Sequence, residues 1–423
     1  MPPVWRDGWA LAVALAIVPA LIAARGTPLG EPFADDFDFL HFSLLRGNPS
    51  WLDGGGGALY WRPLARQAYY GLLGPLMLGS PWAIATLHAL AVALAGVLLY
   101  RALRPAWPAP AAAAAGSFPL LLESVRMLVA WPSCAQDLGV LLFGAAALHA
   151  LSRGRRALSL VFVLAALLCK EIALAVALAL PLWPAHAAAR DPAGVGDRGR
   201  PAFASRAERL RTGFAVLVLS GAWWAAHEAV ARSARLLPAS AAAPAQAATT
   251  HLAERTLWAG GRVLRDAISV DVLAPPVRGA ILTLTLLVVL GALGTAALTR
   301  AGRERLTQAL PWLAWAVVWC AVSAAPLGTF YPAWANYRSI VPAVGLGIAV
   351  VALMRAAHPG WLVALALLRA IAVLVNPGAP RRLDTVWADR GAAFDFARLA
   401  TIQSAKTTRG GIEHQMPKDR PVR

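Results

Sequence analysis

The chain has 423 residues, of which 58% are hydrophobic and 14% charged, against roughly 45–50% apolar and about 25% charged in ordinary soluble domains. That composition excludes a soluble globule, which has no interior large enough for so much apolar surface, and a disordered chain, which is far more polar. Three cysteines exclude a disulfide scaffold, and the net charge of +17 comes from basic residues set singly or in small clusters between apolar runs, a pattern of topology signals and not of a nucleic-acid groove.

Several apolar stretches approach or exceed ~18 residues, which predicts an all-α, polytopic membrane bundle of about ten or eleven transmembrane helices. The first, Trp9 to Ala24, follows Arg6 and has no small-x-small cleavage site behind it, so it reads as a first helix with a cytoplasmic N-terminus. Later spans are expected at Trp82 to Tyr100, Ala109 to Leu122, Leu138 to Leu151 and Gly213 to Val230. Four more follow at Ala280 to Leu298, Leu310 to Ala325, Ile340 to Met354 and Trp361 to Val375. Arginines at 101, 104, 153, 155, 156, 300, 303 and 305, with those between 190 and 211, then fall on one side, the cytoplasmic one.

The run 157–183 resists a single crossing, because both its flanks carry arginines. It has 27 residues, and two full crossings need about 40. A hairpin of two short helices, turning at Lys170-Glu171, resolves the conflict. An intramembrane lysine beside an acid marks a functional site by default; a snorkelling lysine neutralised by Glu171 is the plainer account.

Two outward connections, 25–81 and 231–278, are too long to be turns. In the first, Phe33, Phe37, Leu40 and Leu44 share one helical face, and Asp35, Asp36 and Asp38 crowd the opening turn. This predicts an amphipathic helix on the outer membrane surface, its acidic end turned from lipid. Such carboxylates serve as an N-cap, as a general base, or as hard oxygen ligands for a divalent ion. Downstream, Arg62 precedes Pro63 among aromatic residues, a setting that offers a guanidinium to a phosphate. A third outward piece holds Glu123, Arg126 and Asp137, and a fourth places Tyr337 and Arg338 at the start of a late span. Cys134 and Cys169 fall near the same face, so a disulfide between them is conceivable.

In this order the pieces resemble a GT-C superfamily integral-membrane glycosyltransferase of the protein O-mannosyltransferase-like kind. The resemblance rests on Asp35-Asp36, Trp61 to Leu64, Glu123 to Trp131, Lys170-Glu171 and Asn336 to Pro342, and covers roughly the first 185 residues well. It implies a membrane module over 1–375 and a polar tail over 376–423, in a bacterial inner membrane with the site facing outward. The donor would be a polyprenyl- or dolichyl-phosphate-linked sugar, and the acceptor a hydroxyl of a protein, lipid or glycan. Asp35 or Asp36 would be the catalytic base, with inversion at the sugar. Arg62, Lys170 and Arg338 would hold the phosphate, supported by Asp38, Glu123, Arg126 and Glu171. A magnesium or manganese ion at Asp35 and Asp36 is permitted without being required. The alternatives are a flippase or transporter for lipid-linked glycans, which calls for charged broken helices at the midplane and a repeat, and an O-antigen ligase or polymerase, which calls for a large late outer loop.

Overall fold

The computed structural model describes residues 29–32, 35–44, 51–52, 60–122, 124–184, 206–233, 252–268, 275–330 and 334–375. The expected first span, Glu123, the low-complexity stretch 237–248 and the tail 376–423 lie outside the described residues.

Among the described residues there is no strand, and the chain order of helices is α1 (Asp35–Leu44), α2 (Tyr69–Gly79), α3 (Pro81–Leu103), α4 (Ala109–Ser117), α5 (Ser124–Ala130), α6 (Ala135–Ser152) and α7 (Arg156–Leu167). There follow α8 (Ala173–Ala179), α9 (Arg206–Ser233), α10 (Leu252–Ile268), α11 (Pro275–Leu298), α12 (Arg300–Phe330), α13 (Ile340–Ala357) and α14 (Pro359–Leu374). Six of the described segments are long and apolar enough to cross a bilayer: Pro81–Leu103, Pro132–Ser152, Arg206–Val230, Pro276–Leu298, Arg300–Gly328 and Asn336–Ala357. The chain is a multi-pass integral membrane protein.

Two expected crossings are shorter than a full span, and the run 157–183 forms two short helices as expected. Ala109–Leu121 and Gly360–Arg369 are short apolar helices, and α7 and α8 meet at Lys170 and Glu171. Conversely, α12 begins ten residues before the expected Leu310 and continues through Pro311 and Pro326. Its polar first three turns hid the start from a hydropathy reading.

The bundle has a protein-covered centre and a lipid-facing rim. Most of the apolar window is buried in α6 (72%) and α13 (78%), but only 22% in α9 and α11. On the latter two, Phe214, Leu217, Leu286, Leu287 and Leu290 stand exposed, as lipid-facing side chains must. The centre is closed by a tryptophan ladder. Trp312, Trp315 and Trp319 recur on one face of α12, and Trp183 sits between Trp312 (5.3 Å) and Trp315 (4.7 Å), with Trp107 beyond Trp312 at 4.8 Å. Three of these indole N–H groups have protein acceptors: Trp183 donates to Ser152 Oγ, Trp315 to the Ala179 carbonyl and Trp319 to the Val341 carbonyl.

Helices α3 and α4 approach closely because small residues face each other. A Cβ on Gly116 would stand 2.8 Å from the Tyr100 nitrogen and 3.0 Å from the Gly96 oxygen, both backbone atoms that cannot yield. Gly116→Leu is therefore expected to cost about 1–3 kcal/mol through overpacking, read as a lower unfolding temperature of the purified protein. Gly30 is equally constrained: its φ is +74°, it donates to the Ala130 carbonyl, and a Cβ would meet the Pro81 oxygen at 2.0 Å. That contact ties the chain before α1 to α5 and to the start of α3.

One reading of α1 is corrected here. Its apolar face does not lie in lipid: Phe37, Phe39 and Leu40 are buried against Tyr70, Met77 and Ile84 of α2 and α3. The expected helical face is right, but protein covers it. The helix unforeseen in the second outer connection is α10, which buries Ala259, Val263 and Ala267 and exposes Leu257 and Leu264 on another side. That is the pattern of a helix lying at a membrane interface.

Candidate active site at the first turn of α6

The site is built around the turn that opens α6. Its sequence, Pro-Ser-Cys-Ala-Gln-Asp, puts Ser133, Gln136 and Asp137 at i, i+3 and i+4, hence on one face. All three are buried, at 6%, 6% and 2% exposure. A buried polar side chain needs a partner, and each of these finds an ionic one from a different stretch of chain.

Ser133 meets Asp36. Its hydroxyl donates to Asp36 Oδ1 at 2.7 Å, and the Tyr70 hydroxyl donates to the same oxygen at 2.5 Å. Asp36 is fully buried by these contacts, whereas Asp35 and Asp38 are exposed. Burial, then the Asp36 charge, pushes the Tyr70 phenol well above its ordinary value, so it remains a donor. The expectation that the whole acidic cluster is turned outward is thus corrected: consecutive residues on α1 point in different directions, and Asp36 points inward.

Gln136 meets Arg62. The turn carrying Arg62 is held to the end of α7, because the Leu64 nitrogen donates to the Leu168 carbonyl at 3.2 Å. After Pro63 the chain makes one π-helical turn, Leu64–Ala68, and runs on as α2. Arg62 donates through Nη1 to Gln136 Oε1, and it grips Glu171 from Nε (2.9 and 3.1 Å) and Nη2 (2.5 Å). Its guanidinium lies 4.2 Å from the centre of the Tyr60 ring. His227 of α9 closes the far side, with Nε2 3.7 Å from Glu171 Oε1 and 3.5 Å from the Trp61 nitrogen.

Asp137 meets Lys170, whose ammonium donates to both carboxylate oxygens at 2.8 and 2.7 Å. The plainer account of Lys170, neutralised by its neighbour Glu171, is therefore overturned. The two residues sit at the break between α7 and α8 and diverge, each to an opposite charge on another element. Lys170 also lies 5.8 Å from the Tyr337 ring centre, and Arg338, half-buried, lies 5.7 Å from the same ring.

These groups form one assembly. Cys134, in the middle of the opening turn, is within electrostatic reach of Asp36, Asp137, Lys170 and Arg338. Asp35 is within reach of Asp38, Arg66 and Arg62. Arg66 stands over the Phe39 ring at 4.6 Å and donates to the Tyr60 carbonyl at 3.1 Å. Burial, and then repulsion from Arg62, lowers Arg66 to about 9, which leaves it cationic at neutral pH. Desolvation by the surrounding protein, and then the Asp38 charge, raise the Asp35 carboxyl above the ordinary aspartate value, against the opposing pull of Arg66 and Arg62.

Of the residues singled out in the sequence, Asp35, Asp36, Arg62, Lys170, Glu171 and Arg338 come together, with Asp38 at the exposed edge. Arg126 is buried on α5, which packs against the Asn336–Ser339 turn. Glu123 lies outside the described residues. Cys134 and Cys169 are both free thiols, so the conceivable disulfide is not formed. Ser133, Gln136, Tyr70, Arg66 and His227 were missed, and Asp137 was named without a role. A detectable signal existed for three of them: polar residues at i, i+3 and i+4 in the first turn of an apolar helix. Among the described residues no three metal-ligating side chains gather, and Asp36 Oδ1 accepts from two hydroxyls.

Comparison of the chain with protein-family models, with curated proteins and with solved structures returns no match.

Proposed function

We propose that the protein is an integral-membrane glycosyltransferase of the GT-C type, which moves a sugar from a polyprenyl-phosphate-linked donor to an acceptor hydroxyl at the extracytoplasmic face. The observation that carries this reading is the division of labour on the first turn of α1. Asp35 is exposed, with its carboxyl raised, beside Arg62 and Arg66; Asp36 is sealed by Tyr70 and Ser133.

Asp35 takes the proton of the acceptor hydroxyl as its oxygen attacks the anomeric carbon. The bond from that carbon to the phosphate oxygen breaks on the opposite side, and polyprenyl phosphate leaves with inversion at the sugar. The charge that develops on the leaving phosphate meets Arg62, Lys170 and Arg338. Half-buried Arg338 is the one of the three with open surface, while Arg62 and Lys170 are buried at 5% exposure and set the potential of the wall.

The direct test is product analysis of the purified protein offered several polyprenyl-phosphate sugars with a mixed acceptor set. Transfer of labelled sugar with release of polyprenyl phosphate supports the reading. Movement of intact lipid-linked glycan across vesicles without bond cleavage favours a flippase instead.

A pH dependence follows from the Asp35 environment. The base must be ionised, so kcat/KM falls as pH drops through the Asp35 pKa, which lies above the ordinary 3.8. The acid limb of the pH–rate profile is therefore expected above that value. Asp38→Asn removes one of the two raising causes and is expected to move the limb downward; an unmoved limb assigns the base elsewhere.

A further inference from the structure

The opposite end of the bundle carries a second charged cluster, with a different composition. It lies about 22 Å from Asp137 along α6, at 1.5 Å per residue over fifteen residues. Here α3 and α6 end side by side, held by Ser152 Oγ, which donates to the Ala102 carbonyl at 2.9 Å. The α6 terminus is fixed by a glycine cap: Gly154 has φ +72°, Arg155 N donates to the Ala150 carbonyl at 2.9 Å, and Gly154 N to the Leu151 carbonyl at 2.9 Å. This fixed turn displays Arg153 and Arg155 on either side of Gly154, and Arg101 joins them from the last turn of α3.

All three arginines are exposed, and among the described residues none has a carboxylate within 4 Å. They surround His149, which is within electrostatic reach of all three, reaches the Arg101 backbone, and has a buried Nδ1 without a hydrogen-bond partner. The contrast with neighbouring arginines is informative. Arg156 faces Glu208 at 3.8 Å, and Arg300 faces Glu304 at 3.2 Å. Arg62 and Lys170 at the candidate active site are likewise paired with carboxylates. The arginine-histidine cluster combines like charges, a rigid turn and an orphaned ring nitrogen.

Like charges held together call for an anion, and the anion available at the end of two membrane helices is a lipid headgroup. The geometry points to a binding site for the phosphate of an anionic phospholipid, built by Arg101, Arg153 and Arg155 around His149. The guanidinium groups supply paired donors to the phosphate oxygens, and the acyl chains lie against the apolar flank of α7, where Leu158 and Val161 are exposed. This site is independent of the glycosyltransferase reading.

The test uses the full-length protein in neutral detergent, with bound lipid counted by native mass spectrometry. It is titrated with dioleoyl-phosphatidylglycerol, with the phosphatidylcholine of the same chains, and with inorganic phosphate. Phosphatidylglycerol is expected to bind at least about tenfold more tightly than phosphatidylcholine, in line with several arginines acting near one phosphate. Arg101→Gln/Arg153→Gln/Arg155→Gln is expected to erase that preference, and Arg300→Gln/Arg303→Gln/Arg305→Gln to keep it. An unchanged preference in the first variant, or an equal loss in both, overturns the proposal. Displacement of phosphatidylglycerol by inorganic phosphate at equal concentration would reassign the site to a soluble anion. Should the first variant fail to fold, raising ammonium acetate from 50 to 500 mM with the unaltered protein gives the same decision: the preference must shrink with salt.

Discussion

Asp35→Asn is expected to lower sugar transfer by about 10²–10⁴, the range for losing a general base, while the fold is retained. The sign of its effect on stability follows from linkage. The Asp35 carboxyl is raised in the folded state, so ionisation disfavours folding, and stability is lost as pH rises through the folded value. A neutral asparagine removes that loss, and the variant's unfolding temperature at neutral pH is expected to equal or exceed that of the unaltered protein. Asp36→Ala behaves differently. It removes the shared acceptor of the Tyr70 and Ser133 hydroxyls, which reach Asp36 at 2.5 and 2.7 Å in a buried place. The two hydroxyls still reach each other at 3.1 Å, so one proton is left without an acceptor, at about 1–3 kcal/mol, and a fall in unfolding temperature is expected. Transfer activity and thermal unfolding measured on both variants separate the two roles. Full activity in Asp35→Asn would remove the proposed base.

The second large effect concerns the buried pair at the break between α7 and α8. Lys170→Met leaves Asp137 charged, buried and unpaired, and is expected to cost about 3–5 kcal/mol. Lys170→Met/Asp137→Leu removes both charges and is expected to recover most of that loss, because a buried pair offsets its own desolvation with little surplus. The strong non-additivity of this double-mutant cycle, read from unfolding temperatures, is the signature of direct pairing. Additive losses would mean that Lys170 and Asp137 act apart. Donor affinity measured on the stable double variant then isolates the contribution of Lys170 to the phosphate wall. Glu171→Gln tests the neighbouring pair separately, since Glu171 answers to Arg62 and not to Lys170.

Much of the architecture was legible because bilayer spans and their arginine flanks are written in long, one-dimensional patterns. The hairpin over 157–183 could be inferred from length and flanking charge together, since the run is too short for two full spans and too basic at both ends for one. The candidate site was partly legible for a related reason: a charge inside an apolar run is costly, so Lys170 and Glu171 stand out before any fold is known, whereas Asp36 was indistinguishable from Asp35 in an acidic cluster of an outward connection. Ser133 and Gln136 did not stand out, because uncharged polar residues at a helix start are common and have a bland explanation in capping.

The sequence by itself determined which charged residues must be taken out of lipid contact and the positions of the long apolar helices. It did not determine who partners whom. Adjacent residues on a helix project about 100° apart, so Asp35 and Asp36, identical in chemistry and neighbours in the chain, part company: one reaches solvent and the other enters a protein wall. Lys170 and Glu171 separate in the same way at a helix break. Only the packing of α1, α2 and α8 around the first turn of α6 decides these directions, because the free energy of a buried charge depends on what stands opposite it and not on what precedes it in the chain.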